Sequence, residues 1–321
     1  MEIARQYWAT DSHEHAVEAF YSHGVENYGD FHKGYLNFGL WEDGISDYVV
    51  AAENLVHKVA GRLGLTPGSR VLDVACGMGA QDIYIYEKFG PVEIDALDLT
   101  WKHLAHALRR AKYGQCEHSV RFHHGSATRL PFATESFTHA LSIEGPFHYH
   151  TRERFFSEVW RVLRAGGVVA LADFAIPRPP RGWEVPFIAA TKRLWKIPEE
   201  NLDSIATYRR KLEAAGFRNI QIDEAGEYTF PGYYREQRRP ECRSALARIR
   251  GVVGGRLGQI VDHAAIGAYA RGLVSYILVR AEKPLCASVQ VPISCPAAAA
   301  APCVELSQPV PWPAQGCALG V

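Results

Sequence analysis

Short apolar runs alternate with longer amphipathic runs between residues 66 and 175, which is the rhythm of a parallel, doubly wound α/β sheet. The helices predicted from apolar residues at helical spacing are 80–89, 100–113, 151–164 and 202–216. Runs that are short and apolar enough to predict strands are Arg70–Ala75, Val92–Leu97, Val120–His123, Thr138–Ile143, Val168–Asp173, Asn219–Asp223 and Leu273–Ala281. Together these segments predict a seven-stranded, mostly parallel sheet.

The same pattern divides the chain into three parts. Residues 1–65 have helical spacing and many aromatic side chains, and we expect them to form a helical lid. Residues 66–283 carry the strands and form the main domain, with insertions at about 177–200 and 226–268. Residues 284–321 are rich in Ala, Pro and Cys, and this low-complexity tail is predicted to be disordered.

Charge and cysteine content narrow the class of protein. Lys+Arg and Asp+Glu are both 35, and this balance argues against a nucleic-acid partner. The chain shows neither a signal-peptide pattern nor a run of about 18 apolar residues, so we expect a cytoplasmic protein without a membrane span. The seven cysteines include no C-x-x-C pair, so neither a metal site nor a disulfide framework is predicted.

The most informative segment is an apolar strand that runs into a glycine-rich turn at Val71–Gln81. Glycines let a ligand approach the backbone closely, and such a turn lies at the carboxyl ends of the strands, where ligands bind. A dinucleotide motif, G-x-G-x-x-G, would need a third glycine where this chain has Asp82, whose carboxylate would repel a pyrophosphate. The turn therefore argues against a nicotinamide-dependent oxidoreductase.

Val71–Gln81 resembles the first motif of the class I S-adenosylmethionine-dependent methyltransferases. Gly125–Phe132 and Ser142–Gly167 are similar to later segments of that family, and Gly34–Trp41 resembles a segment of its natural-product, fatty-acid, tocopherol and sterol-like members. The resemblance implies a Rossmann-like fold, S-adenosylmethionine as cofactor and a small-molecule substrate. The resemblance leaves open whether the protein forms a homodimer.

The resemblance also implies which residues hold the cofactor. Asp73 would lie near the methionine amine, and the turn Cys76–Gly79 would wrap the methionyl and ribose portion. Asp98, about 20 positions after the glycines, would accept hydrogen bonds from the ribose hydroxyls. Ser126 stands where the family has an adenine-binding aspartate, which weakens that contact. The complete predicted set is Asp73, Ala75, Cys76, Gly77, Gly79, Gln81, Asp98, Leu99, Ser126, Ala127 and Ile143.

Histidine is a suitable base near neutral pH, and two histidines follow the fourth strand. We expect His148 to be the general base and Asp173, at the end of the fifth strand, to orient it. His150 is an alternative base, and a third interpretation makes both histidines residues of the cavity rim. Residues expected to cover or contact the substrate are Tyr21, Tyr35, Trp41, Glu144 and Trp183. The N-terminal aromatic side chains suit packing onto the sheet equally well, and Glu144 suits a structural role in capping its loop about as well.

Two reactions are compatible with these features. O-methylation of a hydroxyl or carboxyl on a small, fairly apolar metabolite is the leading hypothesis. C-methylation of an isoprenoid, phenol or sterol-like substrate is the alternative, and a cofactor-binding module without activity is a third. The segment Ile143–Phe147 lacks the Asn/Asp-Pro-Pro-aromatic motif of enzymes that methylate nucleic acids or glutamine.

Overall fold

A computed structural model describes residues 12–22, 31–90 and 92–285. Its sheet has the strand order β3-β2-β1-β4-β5-β7-β6, in which β7 alone runs antiparallel to its neighbours. The strands are β1 Arg70–Val74, β2 Glu93–Asp98, β3 Val120–His124, β4 Phe137–Ile143, β5 Leu163–Ala175, β6 Arg218–Glu224 and β7 Ser275–Glu282. The predicted fold class, a mostly parallel seven-stranded α/β sheet, is confirmed.

The fifth strand departs from its predicted start. It begins at Leu163 rather than Val168, because Leu163 already pairs with a residue of β4. Phe137 pairs with Leu163 and His139 with Val168, so β5 has extra residues at this point. Gly166 accommodates them with a φ of 75°. Residues 165–167 therefore form an irregularity within β5.

Nine helices are described in these ranges, and several begin at a side chain that caps the first turn. Asp47, Thr151 and Ser204 each accept a hydrogen bond from the backbone N–H three residues later. The helices are α1 Ser12–Ser22, α2 Tyr48–Gly61, α3 Ala80–Phe89, α4 Trp101–Tyr113, α5 Arg152–Val162, α6 Val185–Leu194, α7 Ile205–Ala214, α8 Gly226–Gln237 and α9 Pro240–Ala270. Among the described residues, no helix is both long and apolar enough to span a bilayer.

The sheet is buried on both faces, so its strands are apolar at consecutive positions. Val71 belongs to the core that α2, α3 and α4 cover, whereas Leu72 belongs to the core that α5 and α7 cover. Leu141 and Ala140 of β4 divide in the same way. Because β1, β2 and β4 are parallel, their carboxyl ends meet at one edge of the sheet.

The two predicted insertions are helical and meet the N-terminal segment. The first contains α6, and the second is α8 followed by α9. Trp41 N donates to the Tyr228 carbonyl at 2.7 Å, which joins the N-terminal segment to α8. A Cβ at Gly232 would lie 2.1 Å from Trp41 Cγ, so the glycine makes room for the indole. Trp41 therefore packs on α8 and does not have the substrate contact predicted for it.

Candidate active site

A cavity of about 980 Å³ lies at the carboxyl ends of β1, β2 and β4. Most of the predicted cofactor residues line it, and they come from three different turns. They are Ala75, Cys76, Gly77, Gln81, Asp98, Leu99, Ala127 and Ile143. The prediction missed other lining residues that arise from distant parts of the chain, namely Glu14, Asn37, Thr100, His103 and Tyr149.

The two glycines of the turn have different surroundings. A Cβ at Gly77 would meet only Leu36, at 3.5 Å, so this glycine leaves open space on the cavity wall. A Cβ at Gly79 would lie 2.8 Å from Ala107 Cβ, so this glycine allows α3 and α4 to pack closely. Gly79 does not line the cavity. Its contribution to cofactor binding is therefore through the fold of the turn.

Asp98 is a buried carboxylate at the cavity wall. It accepts hydrogen bonds from Gly77 N at 2.9 Å and Thr100 N at 2.7 Å, and His103 Nδ1 lies 3.3 Å from it. Burial alone would raise its pKa, but His103 and the two backbone N–H groups outweigh burial and lower the pKa. An ionised, fixed carboxylate suits hydrogen bonds from a ribose.

Asp73 does not reach the cavity. Its side chain is fully buried, and Gln81 Nε2 donates to its Oδ2 at 2.5 Å. Gln81 lines the cavity and lies between Asp73 and any ligand. The predicted direct contact of Asp73 with the methionine amine is therefore replaced by a role in holding Gln81.

Ser126 is also outside the cavity wall. Its hydroxyl bonds to the Glu14 carboxylate of α1 and to Thr128 Oγ1. Because both contacts are to neighbouring side chains, the predicted adenine contact does not appear, and Ala127 lines the cavity instead. Ser126 links α1 to the turn after β3.

The cavity suits a ligand that combines a ribose with an amino-acid moiety. Asn37 Nδ2 is buried on its wall and, within the described ranges, has no hydrogen-bond partner. A ligand carboxylate would satisfy that donor, just as ribose hydroxyls would satisfy Asp98. Tyr21, Tyr35 and Tyr149 contribute aromatic faces, which favour a cation such as a sulfonium.

His148 lies on the short helix Pro146–His148 directly after β4 and lines the same cavity. Its Nδ1 is 3.3 Å from the Lys196 carbonyl, and its Nε2 is 2.7 Å from the Tyr21 hydroxyl. A carbonyl only accepts, so this network assigns the proton to Nδ1 and leaves Nε2 as the acceptor of a hydroxyl proton. Burial lowers the pKa of His148 to about 3, so the imidazole is neutral.

Asp173 does not orient His148, and that part of the prediction is wrong. Its carboxylate accepts from Arg152 Nε at 2.9 Å and Tyr208 OH at 3.0 Å. Side chains alternate along a strand, and Leu171 and Ala175 place this register in the core under α5 and α7. Asp173 therefore belongs to a buried ion-pair network that also includes Asp203.

His150, the alternative base, is also displaced from the cavity. Its Nε2 lies 4.0 Å from a Glu200 carboxylate oxygen, at a partly exposed position. Trp183 is 69% exposed and lines neither cavity described here, so it does not have the predicted substrate contact. Tyr21 and Tyr35 line the cavity as predicted.

Glu144 follows β4 and joins the N-terminal segment to the sheet. Its Oε1 accepts from Phe38 N at 2.7 Å and from Tyr276 OH at 2.7 Å. Burial raises the pKa of this carboxyl to about 8, although the two hydrogen bonds act in the opposite direction. Glu144 lines the cavity and thus serves both of the roles that the sequence left open, a place at the site and a structural one.

A second cavity, of about 610 Å³, lies between the two insertions. Its walls are mostly apolar and include Ile188, Trp195, Phe230 and Leu273. Phe147 lines this cavity, and its ring centroid lies 3.9 Å from that of His148, which lines the first. The short helix after β4 therefore has one residue at each cavity.

The fold and this cavity define a protein that binds a nucleoside-containing ligand at the carboxyl edge of an open α/β sheet. A profile of the methyltransferase domain family matches residues 71–167. The chain is 36% identical over 194 residues to erythromycin 3''-O-methyltransferase of Saccharopolyspora erythraea, which is 59% of this chain and 63% of that enzyme. It is 27% identical over 257 residues to 27-O-demethylrifamycin SV methyltransferase of Amycolatopsis mediterranei, covering 78% of this chain and 90% of that one.

Solved structures share the fold. The [4+2]-cyclase SpnF superposes with a TM-score of 0.68 at 22% identity, over 84% of this chain and 96% of that one. Geranyl diphosphate C-methyltransferase of Streptomyces coelicolor, in complex with S-adenosylhomocysteine, gives 0.67 at 17% identity over 85% and 99%. The matched domain and these relatives support a class I S-adenosylmethionine-dependent small-molecule methyltransferase with S-adenosylmethionine as its cofactor.

Proposed function

We propose that this methyltransferase acts on a hydroxyl oxygen of a bulky, largely apolar metabolite. The observation that carries the proposal is the bond from the Tyr21 hydroxyl to His148 Nε2, at 2.7 Å inside the cofactor cavity. Tyr21 stands in for an acceptor hydroxyl, because it presents the same O–H group to the same nitrogen. The acceptor would replace Tyr21 at that position.

His148 would accept the hydroxyl proton while the oxygen attacks in line. S-adenosylmethionine, when bound, supplies a methyl group on a positively charged sulfur, and that charge disappears when the methyl leaves. The charge that His148 gains therefore replaces one that the site loses, which offsets the unfavourable burial of an imidazolium. The Lys196 carbonyl stabilises the imidazole throughout, because Nδ1 carries its proton before and after the transfer.

The second cavity supports an apolar acceptor. It adjoins the reaction site across Phe147 and His148, and aliphatic and aromatic side chains from both insertions line it. Binding sites of this kind bury most of an apolar ligand and leave only a few polar groups to orient it. The O-methyltransferases named above act on erythromycin and rifamycin compounds, as their names state, which agrees with an acceptor of this class.

The test is a panel of hydroxylated macrolide, ansamycin and polyketide compounds with labelled cofactor, followed by NMR to locate the new methyl group. His148→Gln should lower kcat by about 10²–10⁴-fold, because general bases contribute about that much, and should leave S-adenosylhomocysteine affinity unchanged. His150→Gln is the matched control and should leave kcat unchanged. A methyl on carbon, or full turnover by His148→Gln, would overturn the proposal.

C-methylation has one observation in its favour. Tyr35 and Tyr149 line the cavity, and aromatic rings of this kind stabilise a carbocation. The same NMR measurement separates the two reactions, since it identifies the methylated atom. A cytoplasmic location, a homodimer and the absence of a nucleic-acid partner stay predictions.

A further inference from the structure

Three side chains with metal-binding atoms meet outside the active site. The side chains are His32, Glu236 and Cys242, and their ligand atoms all lie within 4.8 Å of one another. They come from three elements: the short helix Phe31–Gly34, the end of α8 and the first turn of α9. The tight corner between α8 and α9 brings Glu236 and Cys242 to the same side of the N-terminal segment.

The imidazole of this cluster is fixed before any ion binds. The His32 ring stacks between the rings of Phe31, at a centroid distance of 3.9 Å, and Tyr48, at 3.8 Å. Its Nε2 points to Glu236 Oε1 at 3.4 Å. A ring held on both faces loses little rotational freedom when it coordinates a metal.

The carboxylate is oriented as well. Arg239 Nη1 lies 3.1 Å from Glu236 Oε2, so the other oxygen, Oε1, faces His32. Hydrogen bonds from an outer residue to a ligating carboxylate are a common feature of metal sites. The Cys242 thiol is nearly fully buried beside them.

We propose that His32, Glu236 and Cys242 bind one divalent zinc-type cation. Imidazole nitrogen, thiol sulfur and carboxylate oxygen are the ligand types of Zn²⁺, whereas Mg²⁺ and Ca²⁺ require mostly oxygen ligands. On binding, Cys242 releases its proton to solvent and coordinates as a thiolate, and three protein ligands leave one position for water. The cysteine spacing predicted no metal, because the three ligands are brought together only by the fold.

The site would be structural rather than catalytic. None of its three residues lines the cofactor cavity, but Gly34 and Tyr35, which do, follow His32 closely. A bound ion would cross-link the N-terminal segment to the helical insertion. Zinc is therefore expected to raise the thermal stability of the chain without being required for methyl transfer.

The experiment uses the full chain, stripped with a chelator and then equilibrated with zinc chloride. Elemental analysis after gel filtration should find one more zinc ion per chain in the wild type than in Cys242→Ala or His32→Gln. Cys116→Ala is the matched control. Cys116 is also a buried cysteine, but it follows α4 and is not one of the three proposed ligands. Circular dichroism confirms that each variant is folded.

Two further measurements keep the test decisive. Cobalt in place of zinc should give a thiolate charge-transfer absorption band that Cys242→Ala lacks and Cys116→Ala keeps. Zinc should raise the Tm of the wild type and of Cys116→Ala, but not that of Glu236→Gln, which keeps the shape of the side chain. Equal zinc content and equal Tm shifts in all folded variants, or no zinc in the wild type, would overturn the proposal.

Discussion

The two glycines of the turn after β1 should respond to the same substitution in opposite ways. In Gly79→Ala the new methyl would lie 2.8 Å from Ala107 Cβ and 3.0 Å from Phe122 Cζ. Overpacking of this kind costs about 1–3 kcal/mol, and a side chain at a φ of 76° costs roughly a further 1–2 kcal/mol. The free energy of unfolding should therefore fall by about 2–5 kcal/mol.

Gly77→Ala carries only the cost of a side chain at positive φ, without the overpacking. Its φ is 56°, and the new methyl would have a single ordinary contact, with Leu36 at 3.5 Å. The free energy of unfolding should fall by about 1–2 kcal/mol. The methyl occupies the cavity wall, so S-adenosylhomocysteine affinity should fall by about tenfold or more, equal to roughly 1.4 kcal/mol.

Urea unfolding and calorimetric titration with S-adenosylhomocysteine measure the two effects separately. Gly79→Ala should lose stability but retain affinity in its folded fraction, whereas Gly77→Ala should lose affinity but retain most of its stability. If both variants lose affinity to the same extent, or if Gly79→Ala is as stable as Gly77→Ala, the division of roles between the two glycines is wrong.

Substitutions at three other positions test buried charges, each by urea unfolding. Because burial raises the pKa of Glu144 from 4.5 to about 8, the folded state holds a proton that the unfolded state releases, and stability falls as pH rises through that window. Glu144→Gln should flatten this fall, and an unchanged pH profile would contradict the assignment. Burial also raises the pKa of Asp82, and the neighbouring carboxyl of Asp73 raises it further, so we expect the pair to share one proton. Asp82→Asn keeps a donor and should retain stability, whereas Asp82→Ala should cost about 1–3 kcal/mol; equal stabilities would refute the shared proton. Arg152→Met leaves Asp173 unpaired and should cost about 3–5 kcal/mol, so a loss below about 1 kcal/mol would argue against the buried network.

The sheet and the cofactor turn were predictable because their signals are local. Strands buried on both faces are apolar at consecutive positions, and a turn with two glycines is visible within a few residues. Asp98 could be placed by its distance from that turn. The order of the strands, in which β7 lies antiparallel between β5 and β6, was not predicted.

The errors came from contacts between distant segments. Asp173 lies on the correct strand, but side-chain alternation directs it into the core under α5, where Arg152 is its partner, and no local pattern indicates that pairing. Ser126 bonds to a glutamate of α1 more than a hundred residues away. Glu14 and Asn37 reach the cavity only because the N-terminal segment folds over the sheet edge.

The proton on His148 is positioned by a main-chain carbonyl, and this has an evolutionary consequence. Every amino acid supplies the same carbonyl, so the residue type at Lys196 can drift without changing the tautomer of the base. The backbone there has a φ of 53°, which a glycine or an asparagine would adopt with less strain. Selection on the tautomer of His148, the proposed base, would therefore act on the backbone path between α6 and α7. A change in the length of that segment would matter more than a point substitution in it.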